Sequence, residues 1–459
     1  MKSSAKRLSI VEVLCLAILA GCGGGGSGGA IVATGSALAV RYFKGTDVNN
    51  GSELWKTDGT ASGTVLVSDI VPGPSGSAPQ ALTMIGNTVF FSADDGANGR
   101  ELWKSDGTAT GTVLVKDINP GPASSDPGSL TVVGNTLFFT ANDGQNGLEL
   151  WRSDGTAAGT VMVADIHLTG SSGPDSLIAL GRQLFFTAYA PANGRELWVT
   201  DGTHTTMVKD ISPGAADGGI VGLMAFNNAV WFAANDPTSG PELWTSDGTF
   251  NGTFMVTDLV PGTGGSNARP KFGSGNVLYF TAASSGGNDE LYRTDGTAAG
   301  TSLVKDIYPG TTGSGPQNFV SFKGEIYFTA SDGTHGFEVW KTDGSAAGTQ
   351  QVTDINPGGD SASDTLFSFH NELYFAAYEP ASGTELWKTD GITTKLVKDI
   401  NPGVGDSHIQ NFVELNGTLY FVATDGSSGS ELWKTDGTEI GTMRVIDLNP
   451  GSGDGVTSF

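Results

Sequence analysis

Five aspartates on glycine-bearing turns, Asp94, Asp95, Asp143, Asp332 and Asp425, have the types and spacing to do chemistry. Hard cations prefer clustered oxygens on flexible loops, so these turns are candidate calcium sites, and calcium is the one cofactor the residues suggest. They lack the ordered ligand ladder of an EF-hand loop, and as Asp-Gly turns they can equally serve to accept bonds from nearby amides. The five histidines, His167, His204, His335, His370 and His408, supply no zinc spacing and no triad shared with the acids around them. Two carboxylates meeting across a channel could hydrolyse a glycoside, but nothing marks an odd pair among so many similar acids, and no catalytic residue is assigned.

These turns belong to a pattern, Glu-Leu-Trp-x-x-Asp-Gly-Thr, that recurs nine times, with its glutamates at Glu53, Glu101, Glu149, Glu196, Glu242, Glu290, Glu338, Glu385 and Glu431. The period of 46 to 48 residues is the size of one four-stranded propeller blade. The intervals run 48, 48, 47, 46 and then repeat, so the chain looks duplicated in blocks of four. Within a unit, Ser129 to Val133 reads as a first strand, Gly134-Asn135 as a tight turn, Thr136 to Ala141 as a second strand and Leu148 to Arg152 as a third. Asp154-Gly155-Thr156 opens a hairpin into a fourth strand, Val161 to Ile166. The run Leu137-Phe138-Phe139 does not alternate, as expected of a strand covered on both faces.

The regularity of the tryptophans, with Tyr292 at the ninth position, favours blade-to-blade packing over a ring of sugar platforms. The recurring Glu101, Trp103, Asp106 and Gly107, and likewise Glu431, Trp433, Asp436 and Gly437, are therefore read as structural. The first unit starts at its second strand, while Val456 to Phe459 resembles a lone first strand. The expected fold is thus all-β: a closed propeller of nine four-stranded blades in which N- and C-terminal strands share one blade, an open array leaving unpaired edges. Eight blades with a displaced unit, or two partial rings, are the alternatives.

The phrases Glu101-Leu102-Trp103-Lys104-Ser105-Asp106-Gly107-Thr108 and Glu431-Leu432-Trp433-Lys434-Thr435-Asp436-Gly437-Thr438 resemble the bacterial ELWxxDGT repeat family over about residues 39 to 459. That resemblance implies a repeat often carried on exported proteins and no defined reaction. Tyr292, Val339, Ser345 and Ile392 depart from it. Quinoprotein-type propeller lipoproteins, which scaffold outer-membrane protein assembly, offer a further comparison, although here Asp-Gly-Thr follows the tryptophan.

Residues 1–21 read as an address. Lys2, Lys6 and Arg7 precede an apolar run well short of a membrane span, and Leu19-Ala20-Gly21-Cys22 resembles the bacterial lipoprotein signal box, which implies lipidation, palmitate included, at Cys22. Residues 22–36 form a glycine-rich tether, and 37–459 the single repeat domain. Gly23, not aspartate, follows the cysteine, which implies sorting to the outer membrane. The net charge of −24 argues against nucleic acid and against anionic membranes beyond the lipid anchor.

Loops between second and third strands and between blades should share one rim if the first strand is innermost. The segments that vary most between units are there: Pro122 to Pro127, Thr169 to Asp175, Tyr189 to Ala192, Asp236 to Pro241, Thr263 to Pro270 and Val404 to His408. The reading is a monomeric, lipid-anchored propeller at the cell envelope that binds or scaffolds protein or glycan at that rim. A propeller enzyme acting on polysaccharide is the alternative.

Overall fold

The computed structural model describes residues 40–284 and 288–458, so the expected signal segment, the expected lipidation site Cys22 and the expected tether lie outside the described residues. The chain folds as a nine-bladed β-propeller. Every blade is a four-stranded antiparallel sheet, and no helix interrupts the series of strands. Blade 2 is typical, with strands Gln80–Ile85, Thr88–Asp94, Arg100–Ser105 and Val113–Lys116. Blades 3 to 9 follow in order, and blade 9 ends with Glu431–Thr435 and Met443–Ile446.

Blade 1 is composite. Its three outer strands, Arg41–Asp47, Gly51–Thr57 and Val65–Ser68, come from the N-terminal side, and its inner strand is Val456–Ser458. Around this junction Phe43 and Trp55 of blade 1 pack with Val413, Leu415, Tyr420 and Leu432 of blade 9. The Tyr420 hydroxyl donates to the Gly59 carbonyl at 3.1 Å, a contact spanning 361 residues of sequence.

First strands of successive blades touch one another, so they form the inner wall of the ring. Each carries a bulge, as between Gln80 and Thr83. There Ala81, Ser129, Ser176, Asn318 and Asn411 take φ values from 52° to 58°, a kink that alternation alone does not reveal. The outer strand of blade 3 ends at Ala164, short of the expected Ile166, because the Ile166 amide leaves the ladder and donates to Glu149 Oε2 at 3.4 Å.

Seams between blades are apolar. Trp151 of blade 3 packs on Leu102, Val115 and Ile118 of blade 2 and on Phe139 of its own blade. The second strands are buried nearly throughout, as the unbroken Leu137-Phe138-Phe139 run required. Every second seam adds a lysine from an outer strand. Lys116, Lys209, Lys305 and Lys398, at the ends of the outer strands of blades 2, 4, 6 and 8, donate to the carbonyls of Thr160, Thr253, Thr349 and Thr442 in the next blade at 2.7–2.9 Å. Three of them lie over the Trp151, Trp244 and Trp340 rings at 5.5–5.6 Å.

Candidate functional site

The recurring acids have separate structural tasks. In the hairpin of blade 2, Asp106 Oδ1 accepts from the Thr108 amide at 2.9 Å and its hydroxyl at 2.7 Å, and the Thr108 hydroxyl in turn accepts from the Gly111 amide at 3.0 Å. A Cβ on Gly111 would lie 2.0 Å from Asp106 Oδ1, so the second glycine of the hairpin makes room for the carboxylate. The Thr108 bonds hold the Asp106 carboxyl below its ordinary value, and Asp436 is held the same way by Thr438. Gly107 and Gly437 supply φ of 89° and 87° at the turn.

The glutamate that opens each third strand is buried. Glu101 accepts from the amides of Ile118 at 2.9 Å and Ser125 at 3.0 Å and from the Ser125 hydroxyl at 2.5 Å. It thus fastens the connector between blades 2 and 3 to the sheet. Burial pushes its carboxyl up, against the pull of those bonds. Sequence reasoning missed the serine, although its signal is present: Ser77, Ser125, Ser172, Ser266, Ser314, Ser361 and Ser407 lie 22 to 24 residues after their glutamates. Blades 4 and 9 have Gly218 and Gly455 there, and in those two blades Glu196 Oε2 and Glu431 Oε1 are buried without a hydrogen-bond partner. Burial lifts both carboxyls to about 7.

The calcium candidates sit on the loops between second and third strands, each turned onto its own backbone. Asp94 Oδ1 accepts from the Gly96 amide at 2.7 Å. Asp95 accepts from the amides of Ala97 and Asn98 and from the Asn98 side chain at 2.7–2.9 Å, and Asp143 does the same with Gln145 and Asn146. Asp332 accepts from the Thr334 and His335 amides and meets His335 Nδ1 at 2.7 Å. Asp425 takes the amides and hydroxyls of Ser427 and Ser428, with Arg444 at 3.6 Å. Burial opposes the charge on Asp425, yet these donors outweigh it and hold the carboxyl at about 2. The structure brings no two of these turns together, and among the described residues no group of three or more His, Cys, Asp or Glu side chains is placed to share a metal ion.

The histidines do not converge either. His167 stacks on Tyr189 with centroids 5.7 Å apart, His204 and His335 pair with Asp201 and Asp332 in separate blades, and His370 stacks on Phe369. His408 differs from them in lining a cavity.

That cavity, of about 730 Å³, opens on the rim where the blade connectors and the second-to-third-strand loops meet. One wall is the connector after blade 8, with Asn401, Asp406 and His408. The opposite wall is the connector after blade 9, with Ser452 and Asp454, and the floor includes Thr424 and Ser430 of blade 9. The variable segment Val404 to His408 supplies part of it, and the other variable segments are not among its lining residues, except that Gly426 and Gly429 flank the Asp425 turn. The Asn401 side chain donates to the Asp406 carbonyl at 3.0 Å, and Asn449 does the same for Asp454 at 3.4 Å, so both connectors are braced alike. Asp406 Oδ1 accepts from the Thr384 amide and Asp454 Oδ1 from the Ser430 amide, at 2.7 and 2.8 Å. Asp360 makes the corresponding bond to the Phe337 amide one connector earlier, so three successive connectors present an exposed aspartate on an arc of the rim. No lysine or arginine lines the cavity, and Ile409 is its one apolar side chain.

The chain matches no protein-family model and no curated protein. Solved structures that resemble it include a prolyl endopeptidase, at 14% identity with a TM-score of 0.42 over 68% of this chain and 48% of that one. A puromycin hydrolase aligns at 16% identity, TM-score 0.39, over 83% of this chain and 61% of that one. A puromycin-hydrolyzing peptidase of Mycobacterium tuberculosis aligns at 11% identity, TM-score 0.39, over 84% and 62%. This chain spans about half to three-fifths of those chains. At such identity and overlap the likeness transfers no activity.

Proposed function

We propose that the protein is a non-catalytic binding module of the bacterial cell envelope, tethered by a lipid on Cys22, and that its ligand site is the cleft between the connectors after blades 8 and 9. The ligand class this reading favours is a cationic segment of a protein partner. The observation that carries it is the acidic arc: Asp406 and Asp454 line one cleft that has no lysine or arginine, on a chain of net charge −24. Asparagine, glutamine, threonine and serine around them offer further acceptors and donors for a peptide backbone.

The test is calorimetric titration with a lysine-rich peptide and, separately, with neutral oligosaccharides. The peptide should bind and weaken steeply with salt, and Asp406→Asn with Asp454→Asn should lower its affinity several-fold. Oligosaccharide binding that ignores salt and both substitutions would replace the cationic partner with a glycan. For the tether, labelled palmitate should enter the wild-type chain in cells and not Cys22→Ala.

A further inference from the structure

Two features meet behind the cleft. One is the missing clasp of blade 9: where six blades bond a serine hydroxyl to the buried glutamate, this blade has Gly455, and Glu431 Oε1 is left without a hydrogen bond at zero exposure. A Cβ on Gly455 would stand 2.4 Å from that oxygen, so the carboxyl lies directly against the connector backbone. The other is what Gly455 joins. Its amide and that of Val456 both donate to the Ser430 carbonyl at 3.0 Å, and its own carbonyl accepts from the Thr46 amide of blade 1 at 2.8 Å. Asp454, immediately before it, is a wall of the cleft, and Val456, immediately after it, begins the strand that closes the ring.

An ionised carboxylate here would have the Leu448 amide at 3.1 Å on one oxygen and a weaker approach of the Asn449 amide, with Oε1 lacking a well-formed bond in the interior. Its charged surroundings do not rescue it. Asp447 on the connector repels it more than Arg444 on the outer strand attracts it, and Arg444 is shared between Asp447 at 3.4 Å and Asp425 at 3.6 Å. Asp454, at the cleft, is of the same sign. A neutral acid removes that charge from a site that cannot solvate it.

We propose that Glu431 is a proton-operated clasp on the ring closure. Neutral, it lets the connector 447–455 seat against the third strand of blade 9 and hold both the closing strand and the Asp454 wall of the cleft. Ionised, it loosens that connector. The elevation of the Glu431 carboxyl to about 7 sets the change between mildly acidic and neutral solution. The raised value means the folded form holds its proton where the unfolded chain has lost it, so the clasp is complete below 4.5 and is lost as pH rises through about 7. Its consequence for ligand capture rests on the cleft reading above, but the clasp itself requires no ligand.

Hydrogen exchange at the Gly455 and Val456 amides of the full chain, corrected for the intrinsic pH dependence, tests it. Protection in the wild type should fall on the order of tenfold between about pH 5 and about pH 8, the scale of one pKa unit of coupling. In Glu431→Gln it should be independent of pH. Wild-type protection that does not change with pH, or the same slope in Glu431→Gln, overturns the proposal, whatever the cleft proves to bind.

Discussion

Ser125 shows how one hydroxyl governs a buried charge. Its hydroxyl bonds Glu101 Oε2 beside the Ile118 amide while its own amide holds Oε1, whereas in blade 9 Leu448 keeps the equivalent of Oε2 and Oε1 is left bare. Ser125→Ala should cost about 1–3 kcal/mol, the loss of a hydrogen bond to a buried carboxyl that keeps the Ile118 amide on the same oxygen, measured by denaturant unfolding. It should also push the Glu101 carboxyl further up, visible in a carboxyl NMR titration. An unchanged stability would mean that the amides of Ile118 and Ser125 suffice alone. At this scale the sequence was legible for residues whose role is local: Asp106 and Thr108 lie two apart, and the hairpin they stabilise could be expected from Asp-Gly-Thr itself. The serine lies 24 residues from its glutamate on the far side of two elements, so its task became apparent only with the sheet assembled.

For the strands, the unbroken apolar runs and the recurring tryptophan disclosed which elements are covered on both faces and where blades abut. Trp151 fills the seam between blades 2 and 3 under Lys116, and Trp151→Ala should destabilise the protein by about 3–5 kcal/mol, the usual cost of emptying a large aromatic site. The measurement is the midpoint of chemical denaturation, and a loss well under that range would show that the seam collapses to fill the gap. The bulged inner strands were not legible, because Ala81, Ser129 and Ser176 share no residue type that announces a positive φ. Nor was the cleft. It is assembled from two connectors and a loop whose nearness depends on ring closure, and only the unusual composition of Val404 to His408 hinted at it.

For the whole molecule, nine buried glutamates are all displaced upward, first of all by burial. Their contribution to stability is complete below the ordinary value of 4.5 and declines as pH rises toward the folded values, about 7 for Glu196, Glu385 and Glu431. The turn aspartates, displaced downward, contribute above their ordinary value of 3.8 and fail as pH falls below it. The thermal midpoint should accordingly peak between about pH 4 and about pH 6 and fall toward pH 8, a trend reinforced by growing self-repulsion on so acidic a chain. A midpoint that rises steadily to pH 8 would contradict it. The lysines that cross from blade to blade add a consequence of parity. Those on the outer strands occupy the even-numbered blades, and a two-fold alternation cannot close on an odd ring. Two neighbouring seams must both lack an outer-strand lysine, and these are the pair that flank blade 1, where Lys56 on the third strand donates to the Gly107 carbonyl at 2.8 Å on one side and Tyr420 to the Gly59 carbonyl at 3.1 Å on the other. The circle therefore changes its fastening at one arc, and a pulling or heating experiment on Lys56→Met should find the break there first.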